Sequence, residues 1–152
     1  MRRKEREITS IDEIEEVIGR CSICRLAFCD DDIPYIVPVN FGYKDRVLYF
    51  HSAPEGRKID IIRKNNNICI EFDIDTELIF DDIPCKNSIK YRSVIATGKA
   101  YLIEDYDSKV KGYDILMKHY KEGPFEYDRK QVDRSIFIKV EIDTMTGKKS
   151  GY

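Results

Sequence analysis

The residues with the clearest chemical potential in this sequence lie together at Ser52-Ala53-Pro54-Glu55-Gly56-Arg57-Lys58, between a β-type segment and a helical one. Cations in the first turn of a helix oppose its macrodipole, at about 0.3–1 kcal/mol each, so an anion is their natural counterpart. Free backbone N–H groups, the Ser52 hydroxyl and two side-chain cations at one helix start make a phosphate cradle, in which Arg57 can grip two oxygens at once. The competing reading is a solvated surface on which Arg57 and Lys58 pair with Glu55 and Asp60, and residue types alone leave both open. His51, just before the cradle, can transfer protons near neutral pH. A hydrogen-bonded strand end would account for the same residue. His119, following Met117 and Lys118 on a helical segment, reads as a surface or cap residue.

Other chemistry is less well supported. Cys21-x-x-Cys24 has no second CxxC, and neither histidine stands at zinc-type spacing from it. If both cysteines lie in one strand, Cys24 shares a face with Leu26 while Cys21 points the other way, so they read as core thiols and no metal site is expected. Asp30-Asp31-Asp32 and Asp81-Asp82 read as solvated turns. The chain has 152 residues with 26 Lys+Arg against 28 Asp+Glu, a balance that points to neither nucleic acid nor an anionic membrane. No apolar run approaches the roughly 18 residues of a membrane span, the N-terminal MRRKEREITS is charged, and five cysteines are an odd number. A cytoplasmic protein with reduced thiols is the expectation.

The elements that must position these residues follow from pattern. Ser10-Ile11-Asp12-Glu13 is a capping box, with Ile14, Val17 and Ile18 at helical spacing and Gly19 as a stop. Segments 21–29 and 33–41 read as a hairpin about the Asp run; a turn at Gly42–Asp45 leads to a third strand at 47–51, giving a three-stranded meander. A helix is expected from Gly56 to Asn65, buried through Ile59 and Ile62. Strands follow at 68–75, around 78–80, at 88–103 with Gly98 as a bulge, and at 136–142. Between the last two, 107–120 reads as a helix with Val110, Tyr113, Leu116, Met117 and Tyr120 as its buried stripe. About six strands without regular strand-helix-strand alternation favour a mainly β (α+β) fold, a small antiparallel barrel with flanking short helices, formed as one domain over 1–152.

Several ordered motifs resemble the FMN-binding split-barrel family related to pyridoxamine 5'-phosphate oxidase. They are Pro34-Tyr35-Ile36-Val37-Pro38-Val39-Asn40-Phe41-Gly42-Tyr43, Leu48-Tyr49-Phe50-His51-Ser52-Ala53 with Gly56-Arg57-Lys58, and Tyr91-Arg92-Ser93-Val94-Ile95-Ala96-Thr97-Gly98-Lys99-Ala100. Met145-Thr146-Gly147-Lys148 and the CRLAF start of the first strand resemble its Nim-type, nitroimidazole-resistance branch. The resemblance implies a six-stranded antiparallel split barrel binding FMN. Val37, Pro38, Val39 and Asn40 would pass along the flavin ring; Phe50, His51 and Ser52 would reach the ribityl chain and phosphate; Arg57 and Lys58 would hold the phosphate; and Ser93 would be a polar flavin contact. His51 is the one candidate catalytic residue.

The family's oxidases carry Trp, Arg and His in a C-terminal segment, whereas this chain has no Trp and ends Lys148-Lys149-Ser150-Gly151-Tyr152, so vitamin oxidation does not carry over. The expected activity is FMN-dependent reduction of a small acceptor such as a nitro-aromatic compound, without a Gly-rich nicotinamide fingerprint of its own. The alternatives are a flavin-binding protein without turnover, or a retained fold whose pocket holds haem or nothing; neighbouring branches of the family bind haem or a deazaflavin in place of FMN. A barrel this small is filled by its own side chains, so the cofactor must lie outside and a second copy must cover it, giving a homodimer.

Overall fold

The computed structural model describes residues 3–152. Glu7–Ile8 forms β1, followed by α1 (Ile11–Arg20), whose N-cap Ser10 accepts a hydrogen bond from the Glu13 N–H at 3.4 Å and whose Ile14, Val17 and Ile18 are buried. The helix continues through Gly19 to Arg20. The hairpin β2 (Cys24–Asp30) and β3 (Ile33–Val39) turns on Asp31 and Asp32, both at positive φ as a tight two-residue turn requires. A second such turn at Asp45 and Arg46 joins β4 (Gly42–Lys44) to β5 (Val47–Ser52). Then come α2 (Arg57–Lys64), β6 (Asn67–Ile79), β7 (Ser88–Ile103), α3 (Tyr106–Tyr120), α4 (Arg129–Asp133) and β8 (Ile136–Ser150).

The strands are antiparallel in the order β3-β2-β6-β7-β8-β5-β4, with β1 on β8. Among the described residues there are eight of them, against six expected, because β1 and β4 are short segments inside stretches that read as coil or turn. The expected meander is not formed. β3 pairs only with β2, while β5 pairs with β8 and β4, so consecutive strands stand at opposite ends of the sheet. Pro34 and Pro38 explain this, since a strand lacking N–H donors at two positions of the same parity has one full hydrogen-bonding edge, and β3 gives it to β2. The short strand expected near 78–80 is a continuation of β6 past an irregularity between Ile74 and Glu77. β8 runs eight residues beyond the expected Ile142 end.

The expected bulge at Gly98 is present: the register of β7 on β8 shifts between Thr97 and Gly98, leaving Asp143 as the extra residue. A side chain at Gly98 would place its Cβ 2.1 Å from the Glu141 carbonyl oxygen. One contiguous cluster fills the barrel, including Leu26, Phe41, Phe50, Ile70, Phe72, Val94 and Ile138, and α2 closes it with Ile59, Ile61 and Ile62. Across the outside of β4 and β5 lies α3, and it buries Lys109, Gly112 and Leu116; of the expected stripe Leu116 is buried, Val110, Tyr113 and Met117 are half-buried, and Lys109 and Gly112 were not expected. Gly112 rests on the Phe137 ring, while Tyr120 is exposed. The helix is therefore rotated toward the face whose missing side chain allows close approach.

The bulge yields a stability prediction. Gly98→Ala forces backbone against backbone, where no rotamer change can relieve the contact, so it should destabilise the protein by at least the ~1–3 kcal/mol typical of overpacking. Thr97→Ala, beside it on the exposed face, should change stability by less than ~1 kcal/mol. Urea unfolding of the two variants checks the contrast.

Candidate functional site

The candidate site is the opening between the two ends of the sheet. β4 covers β5 only over Val47–Tyr49, so Phe50, His51 and Ser52 are paired with β8 on one side and have no strand on the other. Their free edge and the free edge of β3 are the two lips of the split. The chain leaves β5 at Ser52 and enters α2 through Gly56, which has φ +119°, a left-handed conformation that favours glycine, and offers no side-chain cap. The space where a Gly56 Cβ would project is open to 4 Å. The Ile59 and Asp60 N–H groups donate to the Gly56 carbonyl, and those of Arg57 and Lys58 have no acceptor among the described residues.

Both cations of the first turn are placed by this entry. The Arg57 guanidinium lies 4.6 Å over the Tyr35 ring of β3 and its Nε donates to Asp30 Oδ2 at 3.3 Å, so it bridges the split from α2 to the β2–β3 hairpin. Lys58 is half-buried with Nζ 5.5 Å from the Phe50 ring centroid, and burial lowers its pKa. The surface pairing with Glu55 and Asp60 is not what forms: Asp60 faces Arg63 at 3.9 Å, and Arg57 takes Asp30 instead. Asp30, expected to be a solvated turn residue, is thus part of the site, and no local pattern marks it because the contact spans 27 residues of chain.

His51 stands on the outer side of β5, where its ring stacks on Tyr113 of α3 at 5.8 Å and 28° with the other face open to solvent. Tyr113 is itself fixed, donating its hydroxyl to Ser135 Oγ at 2.9 Å and packing edge-on against Phe137. Partial burial and then the Lys58 charge lower the His51 pKa. Tyr113 was expected only as a core residue of α3.

The structure divides the other expected flavin contacts. Val37 and Val39 point inward against the core, whereas Pro38 and Asn40 are exposed, since side chains alternate along β3. Phe50 is fully buried and can present only its backbone to the split. Ser93 is not brought to the site. It pairs with Asp73 on β6 and Lys148 on β8, three strands from β3, roughly 14 Å at about 4.8 Å per strand. The Arg25 ion pairs with Glu71 and Asp73 lie between. By the other route, along β8, the partner of Ser93 is eleven residues from Phe137, the partner of His51.

The cysteines take no part. Cys21 is the C-cap of α1 rather than a strand residue, its thiol donating to the Ile23 carbonyl at 3.0 Å, and Cys24 is wholly buried with its pKa raised by that burial. His119, expected as a surface or cap residue, lies in the last turn of α3, half-buried against Phe41, with Nε2 2.8 Å from the carbonyl oxygen of Cys21, the C-cap of α1.

An antiparallel barrel left open at one seam, with a basic helix start across the opening, defines a split-barrel protein of the pyridoxamine 5'-phosphate oxidase type. The chain belongs to that family: the profile described as pyridoxamine 5'-phosphate oxidase matches residues 10–149. Within it the chain stands in the Nim-type branch. A crystal structure of a proposed 5-nitroimidazole antibiotic resistance protein from Bacteroides thetaiotaomicron is 38% identical, with a TM-score of 0.85 over 94% of this chain and 86% of that one. The uncharacterized protein RA0666 of Rhizobium meliloti (strain 1021) is 26% identical over 151 residues, 93% of each chain. The flavocytochrome Anf3 from Azotobacter vinelandii shares the fold at 15% identity, with a TM-score of 0.87 over 100% of this chain and 72% of that one.

A folded-state pKa below the ordinary 6.5 means that the unfolded chain takes up the His51 proton first as pH falls. Stability from this group is therefore complete above about pH 6.5 and declines in the window below it. Melting temperatures of wild type and His51→Gln between about pH 5 and 7.5 should show a shallower acid slope in the variant. Parallel curves would remove His51 from the pH dependence.

Proposed function

We propose that this chain is an FMN-binding reductase of small acceptors of the nitro-aromatic class, acting as a homodimer in the cytoplasm. The observation that carries the reading is the first turn of α2: two cations and two unpaired N–H groups meet at an open space between the lips of the split, and one cation is half-buried without a carboxylate. Such a cradle suits a phosphate dianion. Lys58 is the group that gains most, because an anion beside it offsets its burial. Arg57 exchanges one charge-assisted partner, Asp30, for another and keeps its stack on Tyr35.

Bound flavin supplies the two-electron chemistry. The chain's own residues hold and orient it and manage protons. Asn40 and Pro38 present side chains along one lip, and Ser52 supplies a hydroxyl beside the helix start. His51, held on Tyr113 and with its pKa lowered by burial and then by the Lys58 charge, is placed to pass a proton to a reduced acceptor. Family membership and the flavocytochrome fold support flavin over an empty pocket.

The outer face of β3-β2-β6-β7 supports the dimer. Directly paired residues share a face, and this one exposes Ile36 at 60% and Ile95 at 41%, with a groove of about 440 Å³ lined by Ala27, Cys29, Cys69 and Thr97 between them. Five free cysteines agree with a reducing compartment, and no helix among the described residues is long and apolar enough to cross a membrane.

Purified protein should carry flavin absorption bands. Replacing Arg57 and Lys58 together by Ala removes two charged hydrogen bonds of about 1.5–3 kcal/mol each, so FMN affinity should fall by at least about a hundredfold while riboflavin affinity changes little. Unchanged FMN affinity in that titration would falsify the cradle. His51→Ala should keep its flavin and lose about 10²-fold or more in turnover with a nitro-aromatic acceptor; full turnover would leave His51 without a catalytic role.

A further inference from the structure

The tip of the β2–β3 hairpin stands beyond the rest of the sheet. β2 pairs with β6 only over Arg25–Ala27, and β3 pairs with β2 alone, so from Phe28 to Tyr35 the hairpin is a two-stranded ribbon. Such a ribbon is marginal in water by itself and must be held from outside. Its base is anchored by Phe28, buried in the core with its ring 5.9 Å from that of Tyr35. Its tip is tied to α2: Arg57 Nε donates to Asp30 Oδ2 at 3.3 Å, and Asn65 Nδ2 donates to the Cys29 carbonyl at 3.5 Å. Between tip and helix lies a cavity of about 200 Å³, lined by Asp31, Asp32, Ile61 and Lys64 among others, so the two are not closely packed there. Of the three carboxylates in the turn, Asp30 alone has an ionic partner among the described residues, and that partner is a cation of the phosphate cradle.

We propose that Asp30 is the resident counter-ion of the cradle: it competes with the cofactor phosphate for Arg57, so sets how strongly the chain prefers a phosphorylated flavin, and its displacement by the phosphate frees the hairpin tip. The inference rests on the FMN reading above. Asp30 meets only Arg57, whereas a phosphate monoester is close to a dianion at pH 7 and can accept from Arg57, Lys58 and the two unpaired N–H groups together. The phosphate therefore takes the guanidinium. Like charge then faces like charge, since the displaced carboxylate shares its turn with those of Asp31 and Asp32 and stands beside the new anion. Moving the tip relieves this at small cost, because the Cys29 hydrogen bond is long and the cavity separates the tip from α2. Arg57 stays on Tyr35, so the moving part is the turn from Cys29 to Ile33. Riboflavin brings no phosphate and leaves the clasp closed. Asp30 thus lowers the preference for FMN over riboflavin, while in the empty cradle it neutralises one of two neighbouring cations.

Titration of the flavin-free protein tests the competition. Asp30→Asn keeps the side-chain size and removes the charge, so FMN should bind about fivefold more tightly or better, while riboflavin affinity stays as in wild type. Amide hydrogen exchange tests the release and needs no variant. In wild type, FMN should speed exchange over Cys29–Ile33 while slowing it at the start of α2, and riboflavin should leave the tip unchanged. Free Asp30→Asn should already exchange rapidly at the tip. Equal or weaker FMN binding in Asp30→Asn, or tip amides that FMN protects or leaves as they were, overturns the inference and leaves the FMN reading standing. Wild-type protein that takes up no flavin overturns the FMN reading and the inference with it.

Discussion

A barrel closes only if every strand can offer hydrogen bonds on both edges, and β3 cannot. With proline at 34 and 38, one of its edges keeps a single donor at Ile36, too few to support another ladder. The full edge goes to β2. Past Val39 the chain bends, buries Phe41, and resumes as β4 against β5, so the seam is closed over three residue pairs and open below them. The opening, the exposed edge of Phe50–Ser52 and the position of the α2 start all follow from that missing ladder. An unpaired edge is usually a liability for aggregation; here proline blunts it and the α2 entry lies across it.

The electrostatics of the opening are set by what the fold brings near two cations. Arg57 keeps a carboxylate and an aromatic face, an arrangement suited to a planar, permanently charged group. Lys58, a compact ammonium over Phe50, has neither a carboxylate nor full hydration, and its pKa falls accordingly. The site is thus uneven before any ligand arrives, with one satisfied cation and one that a dianion would satisfy. His51 belongs to the same field, since the Lys58 charge adds to burial in lowering its pKa.

The outer helix α3 contributes by position rather than by chemistry of its own. Gly112 lets it settle onto Phe137, and that contact sets Tyr113 beneath His51. Tyr113 is tied in turn to Ser135 at the start of β8, the strand that also pairs with His51. Ring, shelf and strand form one small unit, so the orientation of His51 depends on packing far along the chain.

Much of this was legible in the sequence because it is local. The N-cap at Ser10, the turn in the Asp run, the helix after Gly56, the strand from Ser88 to Ile103 and the bulge at Gly98 each depend on neighbours within a few positions, and each forms; of the capping box only the Ser10 half is made, because the Glu13 carboxylate takes Lys149 instead. Arg57 and Lys58 are likewise at a helix start, as their spacing requires. Strand partners are another matter: periodicity specifies which residues share a face, not which strand lies alongside, so the meander, the strand count and the end of β8 needed the tertiary structure. The prolines of β3 were the one sequence signal of an edge. Only the packed fold could show that α3 turns its glycine inward, that Asp30 meets Arg57, and that Ser93 lies three strands from the split. Those facts come from contacts between residues distant in the chain, and no local pattern encodes them.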